Sequence, residues 1–171
     1  MATTTIVEGF EDGDITVAAQ EWSGWNGATG KFSAASSYAY EGTYGGRGNG
    51  LLRESVSITR SSNVSGVKTV TFAVRVENTG DDARDWVEFA IQDASGSDIV
   101  SLWFETGDDI TLGGKDVLTS GWSTGTWYVF EADYETGEIR NTTTGDSLSV
   151  SLNAFGGFEI YGDYGWGSEQ G

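Results

Sequence analysis

The sequence predicts an all-β protein, built as a two-sheet antiparallel sandwich or jelly roll in a single domain over residues 1–171. Three observations predict it. Apolar and polar residues alternate with a period of two in one segment after another. No window keeps apolar residues at i, i+3, i+4 and i+7, so no helix is expected. The chain carries 26 glycines, which punctuate it, and no proline.

Taken in order, residues 19–50 have little strand signal and are rich in Gly, Ser, Tyr and Trp. Trp22, Trp25, Tyr38, Tyr40 and Tyr44 are costly to leave in water, so this stretch is expected to be ordered loops and short strands. In 67–77, Val70, Phe72, Val74 and Val76 share one face, opposite Thr69, Thr71, Ala73 and Arg75. The clearest unit is 86–105. Two alternating runs flank Asp93-Ala-Ser-Gly-Ser-Asp98, which reads as a tight hairpin turn. Folding about that turn sets Ile91 against Val100, Phe89 against Leu102 and Val87 against Phe104. All three pairs are apolar, so this register buries one face consistently.

Further on, Tyr128, Phe130, Ala132 and Tyr134 oppose Trp127, Val129, Glu131 and Asp133 in 127–134. Leu148, Val150 and Leu152 alternate with polar neighbours in 147–153. In 158–163, Phe158 and Ile160 alternate with Glu159, Tyr161 and Asp163. There is no internal repeat and no linker. At 171 residues the chain is long enough for a sizeable core.

Charge is the strongest compositional signal. Asp and Glu number 26 against 9 Lys and Arg, a net charge of -17. Lys31, Lys68 and Lys115 are the only lysines. A surface this acidic repels itself at low salt and stays soluble when salt screens it. The pattern resembles the proteome of an extreme halophile, a haloarchaeon or one of its viruses. An ordinary acidic secreted or virion protein is the alternative. The field has the wrong sign for nucleic acid and for an anionic membrane surface, so neither is expected as a partner.

Cys and His are both absent. That removes disulfides, thiolate nucleophiles, His-ligated zinc and the Ser-His-Asp triad. Catalysis would have to use carboxylates, and a metal would be a hard, oxygen-liganded ion such as calcium. The start, Met1-Ala-Thr-Thr-Thr-Ile-Val, carries no signal-peptide pattern, and no apolar stretch is long enough for a helical membrane span. The expected location is a virion or cell surface in high salt, reached without a signal peptide.

Gly9-Phe10-Glu11-Asp12-Gly13 is followed by Trp22-Ser-Gly-Trp25, by Tyr40-Glu41-Gly42-Thr43-Tyr44 and, much later, by Phe158-Glu-Ile-Tyr161-Gly-Asp163. This order resembles the jelly-roll carbohydrate-binding modules and the concanavalin-like (laminin G-like) domains. Gly125-Thr-Trp127-Tyr-Val-Phe with Asp133-Tyr-Glu-Thr-Gly137 resembles the penultimate hairpin of the laminin G-like group. The resemblance implies a structural calcium joining the first and last strands, held by Glu11 and Asp163 with Glu8 and Asp12 nearby. Many carboxylates alone would also produce such neighbours. The middle residue of Tyr161-Gly162-Asp163 departs from the family pattern. Sugar-binding aromatics vary within the family and do not carry over by motif.

The residues themselves offer a glycan face. The register of 86–105 puts Trp86, Glu88, Ala90 and Gln92 beside Ser101, Trp103 and Glu105 on the side away from the apolar pairs. Arg75 is expected on an adjacent strand. An aromatic platform with a few placed polar groups suits a sugar. Two other readings compete: coverage of the tryptophans by 19–50, or a protein–protein interface. Glu131-Ala-Asp133-Tyr-Glu135 resembles the catalytic strand of laminarinase-type glycoside hydrolases. Retaining hydrolysis needs carboxyls ~5–5.5 Å apart, whereas i and i+4 on a regular strand lie about 13 Å apart. A solvated acidic strand running into a turn is the simpler account. Asn63-Val-Ser65 and Asn141-Thr-Thr143 are glycosylation tripeptides that matter only if the chain is exported.

The expected function is that of a non-enzymatic, surface-binding module of a halophile with a glycan-binding or adhesion role, such as a capsid-decorating or tail-fibre component. Its partners would be a glycan or cell-surface polysaccharide, other virion proteins, or further copies of itself. The alternatives are a free carbohydrate-binding module and a small glycoside hydrolase using Glu131 and Glu135.

Overall fold

A computed structural model describes residues 22–40, 45–48, 51, 53–77, 86–106 and 109–163. The strands among them are β1 (Trp22–Gly27), β2 (Phe32–Ala35), β3 (Gly45–Gly48), β4 (Glu54–Arg60), β5 (Thr69–Arg75), β6 (Trp86–Gln92) and β7 (Asp98–Glu105). They continue with β8 (Asp109–Leu112), β9 (Asp116–Ser120), β10 (Trp127–Asp133), β11 (Glu138–Asn141), β12 (Asp146–Ser149) and β13 (Gly157–Asp163). Among the described residues the helical turns are short 3-10 turns at Thr29–Lys31 and Ser36–Tyr38.

The strands form a seven-stranded sheet in the order β1-β4-β13-β6-β7-β8-β9 and a four-stranded sheet in the order β12-β11-β10-β5. A third, small sheet pairs β2 with β3. Every pairing is antiparallel. The fold is therefore the all-β sandwich of jelly-roll type that the period-two pattern predicts.

The alternation decides which side chains meet. Ile91, Val100, Leu102, Phe104 and Ile110 of the large sheet pack against Val70, Tyr128, Phe130, Ala132 and Ile139 of the small one. Phe72 stacks on Phe89 with ring centres 4.6 Å apart and on Phe130 at 5.5 Å. Phe104 meets Phe130 edge-on at 6.0 Å. Each fully buried side chain of this size contributes about 1.5–3 kcal/mol relative to exposure. A second cluster of Phe32, Leu51 and Val56, with Ile160 against it, forms beside the β2–β3 pair. Part of the 19–50 segment is thus built into the core, as short strands and turns.

The 86–105 hairpin forms in the expected register, with Val87 opposite Phe104, Phe89 opposite Leu102 and Ile91 opposite Val100. The register shifts only next to the turn, where Gln92 faces Asp98. β5 and β10 fall within the alternating segments 67–77 and 127–134, and β13 covers the segment 158–163 and begins one residue before it. One segment differs. Alternation over 147–153 suggests a strand to residue 153, but β12 ends at Ser149. Its partner β11 has four residues, so the ladder runs out of partners there. The chain then crosses to the large sheet, and Leu152 and Phe155 reach the core from that crossing.

Candidate functional site

The outer face of the seven-stranded sheet holds the residues that the hairpin register brings together. A cross-strand row runs Ser55, Tyr161, Glu88, Trp103, Thr111, Val117 over β4, β13, β6, β7, β8 and β9. A second row is Ser57, Glu159, Ala90, Ser101. A third is Asp163, Trp86, Glu105. These positions alternate along the strands with residues of the core cluster, which is why they face away from the four-stranded sheet, and Ala90 and Thr111 among them are themselves buried.

Trp86 and Trp103 stack, with ring centres 4.6 Å apart and planes inclined by 9°. They sit on neighbouring strands at diagonal positions, close enough for large aromatics to touch. The six-membered ring of Trp103 lies against Gly114, where a Cβ would come within 2.6 Å of it. Gly114 has φ of +69°, so both its space and its backbone require glycine. Val117, at 44% exposure, extends this apolar surface on the edge strand.

The polar groups around the stack are tied together. Trp103 Nε1 donates to Ser101 Oγ at 2.7 Å, and Ser101 Oγ donates to Glu88 Oε1 at 2.5 Å. Burial pushes the Glu88 carboxyl above the ordinary glutamate range, the hydroxyl of Ser101 opposes that shift, and the charges of Asp98 and Glu159 add to it. Thr111 Oγ1 donates to Glu105 Oε1 at 2.6 Å. Gln92, 2% exposed, donates through Nε2 to Asp98 Oδ1 at 3.0 Å and to Glu159 Oε2 at 2.5 Å. Two polar atoms are left over. Gln92 Oε1 and Trp86 Nε1 are buried and have no partner among the described residues. A buried unpaired donor or acceptor costs about 1–3 kcal/mol, so partners from beyond these residues are favoured at both atoms.

The structure brings Trp86, Trp103, Glu88, Gln92 and Glu105 onto one face. It does not bring Arg75 there. β5 joins the four-stranded sheet, where Arg75 lies opposite Trp127. Its guanidinium pairs with Glu77 and lies 5.9 Å from the centre of the Trp127 ring. The cause is the core: Val70, Phe72 and Val74 face Phe130 and its neighbours, so the 61–68 loop carries the chain from one sheet to the other. Ser101 lies on the face as the hairpin register places it, and Tyr161, Glu159, Thr111 and Val117 join it without having been singled out as site residues. The alternation of 158–163 placed Tyr161 and Glu159 opposite Phe158, but not beside β6.

Of the carboxylates expected to hold calcium, Glu8, Glu11 and Asp12 lie outside the described residues. Asp163 closes β13 opposite Trp86. Among the described residues no group of three or more carboxylates is arranged to share a metal ion. Glu131 projects from the outer side of β10 between Phe130 and Ala132, which are buried. Glu135 lies in the following turn, where it accepts from Lys68 Nζ at 2.7 Å. The pair is thus split between a strand and an ion-paired turn. A shallow cavity of about 220 Å³ opens elsewhere, lined by Val67, Tyr134, Leu152 and Phe155 among others.

No protein-family model, no curated protein and no solved structure matches this chain.

Proposed function

We propose that this chain is a non-enzymatic, surface-binding module that works in high salt and holds a glycan on the outer face of its seven-stranded sheet. The observation that carries this reading is the stacked Trp86–Trp103 pair, bordered by Glu88 and Glu105. Indole surface offers the apolar contact that sugar C–H groups need, and the flanking carboxylates accept from hydroxyls. The wider role is adhesion to, or decoration of, a particle or cell surface.

The charge narrows the ligand. Glu88, Glu105, Glu159 and Asp98 lie on or beside this face. They repel uronates and sulfated sugars, so the ligand class is neutral polysaccharide. The test is tryptophan fluorescence in molar KCl during titration with neutral and anionic polysaccharides. A neutral glycan should shift the emission, and Trp103→Ala should weaken binding at least tenfold while far-UV circular dichroism stays unchanged. If no polysaccharide moves the emission, the glycan reading falls. The family resemblance adds a structural calcium at Asp163 and the opening segment. Chelator should then lower the melting temperature, and an unchanged value removes the ion.

A further inference from the structure

The chain contains two Asn-X-Ser/Thr tripeptides, Asn63-Val64-Ser65 and Asn141-Thr142-Thr143. We infer that, where the exported chain meets an oligosaccharyltransferase, Asn63 is an acceptor for N-linked glycan in the folded protein and Asn141 is not. Both tripeptides fit the acceptor pattern, one with Ser and one with Thr at the third position, and the fold separates them.

The chemistry acts on one atom. Asn Nδ2 forms a bond to the anomeric carbon of a lipid-linked oligosaccharide. The bond from that carbon to the lipid phosphate oxygen breaks, the lipid phosphate leaves with the electron pair, and Nδ2 gives up one proton to the transferase. Oδ1 is untouched. The hydroxyl of the third residue must also be within the enzyme's reach.

Asn63 meets these demands. It is exposed, in the loop between β4 and β5. Its Oδ1 accepts from Ala94 N at 2.7 Å, while its Nδ2 donates to no described residue. The atom that must stay in place is therefore held, and the atom that must react is at the surface. Val64 N donates to Phe155 O at 2.8 Å, and the Val64 side chain packs on the core, which anchors the loop from below. Ser65 is exposed. A glycan on Nδ2 leaves each of these contacts intact.

Asn141 fails at the reacting atom. It is 0% exposed, at the end of β11 opposite Phe130. Its Nδ2 donates to Thr119 Oγ1 at 3.0 Å, inside the sandwich. Its Oδ1 accepts from Thr143 N at 3.1 Å. The hydroxyl of Thr143 is also engaged, accepting from Val129 N at 2.9 Å. Substitution at Nδ2 would break the bond to Thr119 and place a sugar between β9 and β11. The Asn63 loop also meets the turn end of the β6–β7 hairpin, six residues from Trp86 along β6, or about 20 Å. A glycan there leaves the tryptophan face uncovered.

The experiment gives the folded chain, and the free peptides 59–69 and 137–147, to an oligosaccharyltransferase with its lipid-linked oligosaccharide donor. Mass spectrometry locates the products. Both peptides should be modified. The folded chain should gain one glycan at Asn63, with occupancy at least tenfold above that at Asn141, and Asn63→Gln should gain none. The inference is overturned if folded Asn63 stays bare while its peptide reacts, if folded Asn141 is modified to a similar extent, or if the 59–69 peptide is itself no acceptor.

Discussion

Glu88 is costly where it stands. Its carboxyl is half-buried between Tyr161 and Trp103, and burial raises its pKa above the usual glutamate range. A group whose pKa is higher folded than unfolded supports the fold fully below the unfolded pKa. That support is lost as pH rises through the folded value. Glu88 therefore weakens the protein at neutral pH. Glu88→Gln, which can still accept from Ser101, should raise the melting temperature at pH 7, and the gain should vanish below about pH 4. Melting curves of both proteins from pH 3 to 8 check this; a lower melting temperature for the variant at pH 7 contradicts it. Asp93 and Asp133 behave in the opposite sense. Hydrogen bonds from Ser95 and Ser97 hold the Asp93 carboxyl low, and backbone N–H groups of Thr136 and Glu135 do the same for Asp133. Their support is present above the unfolded pKa and is lost as pH falls through the folded one. Asn141 is the other decisive single residue. Asn141→Ala strands Thr143 N and removes the donor to Thr119. The cost should be about 2–3 kcal/mol, read as a lower urea midpoint at unchanged m-value.

At the scale of elements, the readable parts are those whose partners are near in sequence. The β6–β7 hairpin was legible because both strands alternate and the turn lies between them, so one register satisfies every apolar pair. The stacked tryptophans followed from that register, which is why the aromatic part of the face was visible in the sequence. What lay beyond reach was non-local. β13 inserts between β4 and β6, bringing Tyr161 and Glu159 to the site from about seventy residues away along the chain. β5 looks like any half-buried strand, and alternation says nothing about which sheet it joins, so Arg75 lands in the other one. The β10–β11 hairpin depends on its turn chemistry. Asp133 Oδ1 accepts from Glu135 N at 2.8 Å and from Thr136 N at 3.0 Å, and Gly137 closes the turn at φ of +69°. A Cβ at 137 would also lie 3.0 Å from Val150 O. Gly137→Ala should therefore destabilise by about 1–2 kcal/mol in chemical denaturation, through strain and not through a lost contact. A change under ~0.3 kcal/mol would show that the turn can give.

For the whole molecule, the net charge of -17 sets how the sandwich responds to salt. The ion pairs Lys31–Glu54, Lys68–Glu135, Arg75–Glu77 and Arg140–Glu138 all lie at the surface. Exposed pairs of this kind contribute about 0–1 kcal/mol each, and salt weakens them. With 26 carboxylates against 9 basic groups, most of the negative charge has no opposite charge to balance it. Two effects of salt thus oppose each other, and the balance of charge says which is larger: relief of carboxylate repulsion exceeds the loss of surface pairs. The melting temperature should rise with KCl. The shape of the rise identifies its cause. The Debye length falls from about 30 Å at 0.01 M to 10 Å at 0.1 M and 3 Å at 1 M. Screening should therefore deliver most of the gain below about 0.3 M. Salt excluded from apolar surface would instead give a gain that keeps growing in proportion through the molar range. Thermal melts at 0.02, 0.1, 0.3, 1 and 3 M KCl, on the order of the steps over which the Debye length changes, separate the two. A curve that climbs early and then flattens assigns the salt requirement to the acidic surface. A melting temperature and far-UV spectrum that do not change across the series would mean that the core alone holds the fold against its own charge.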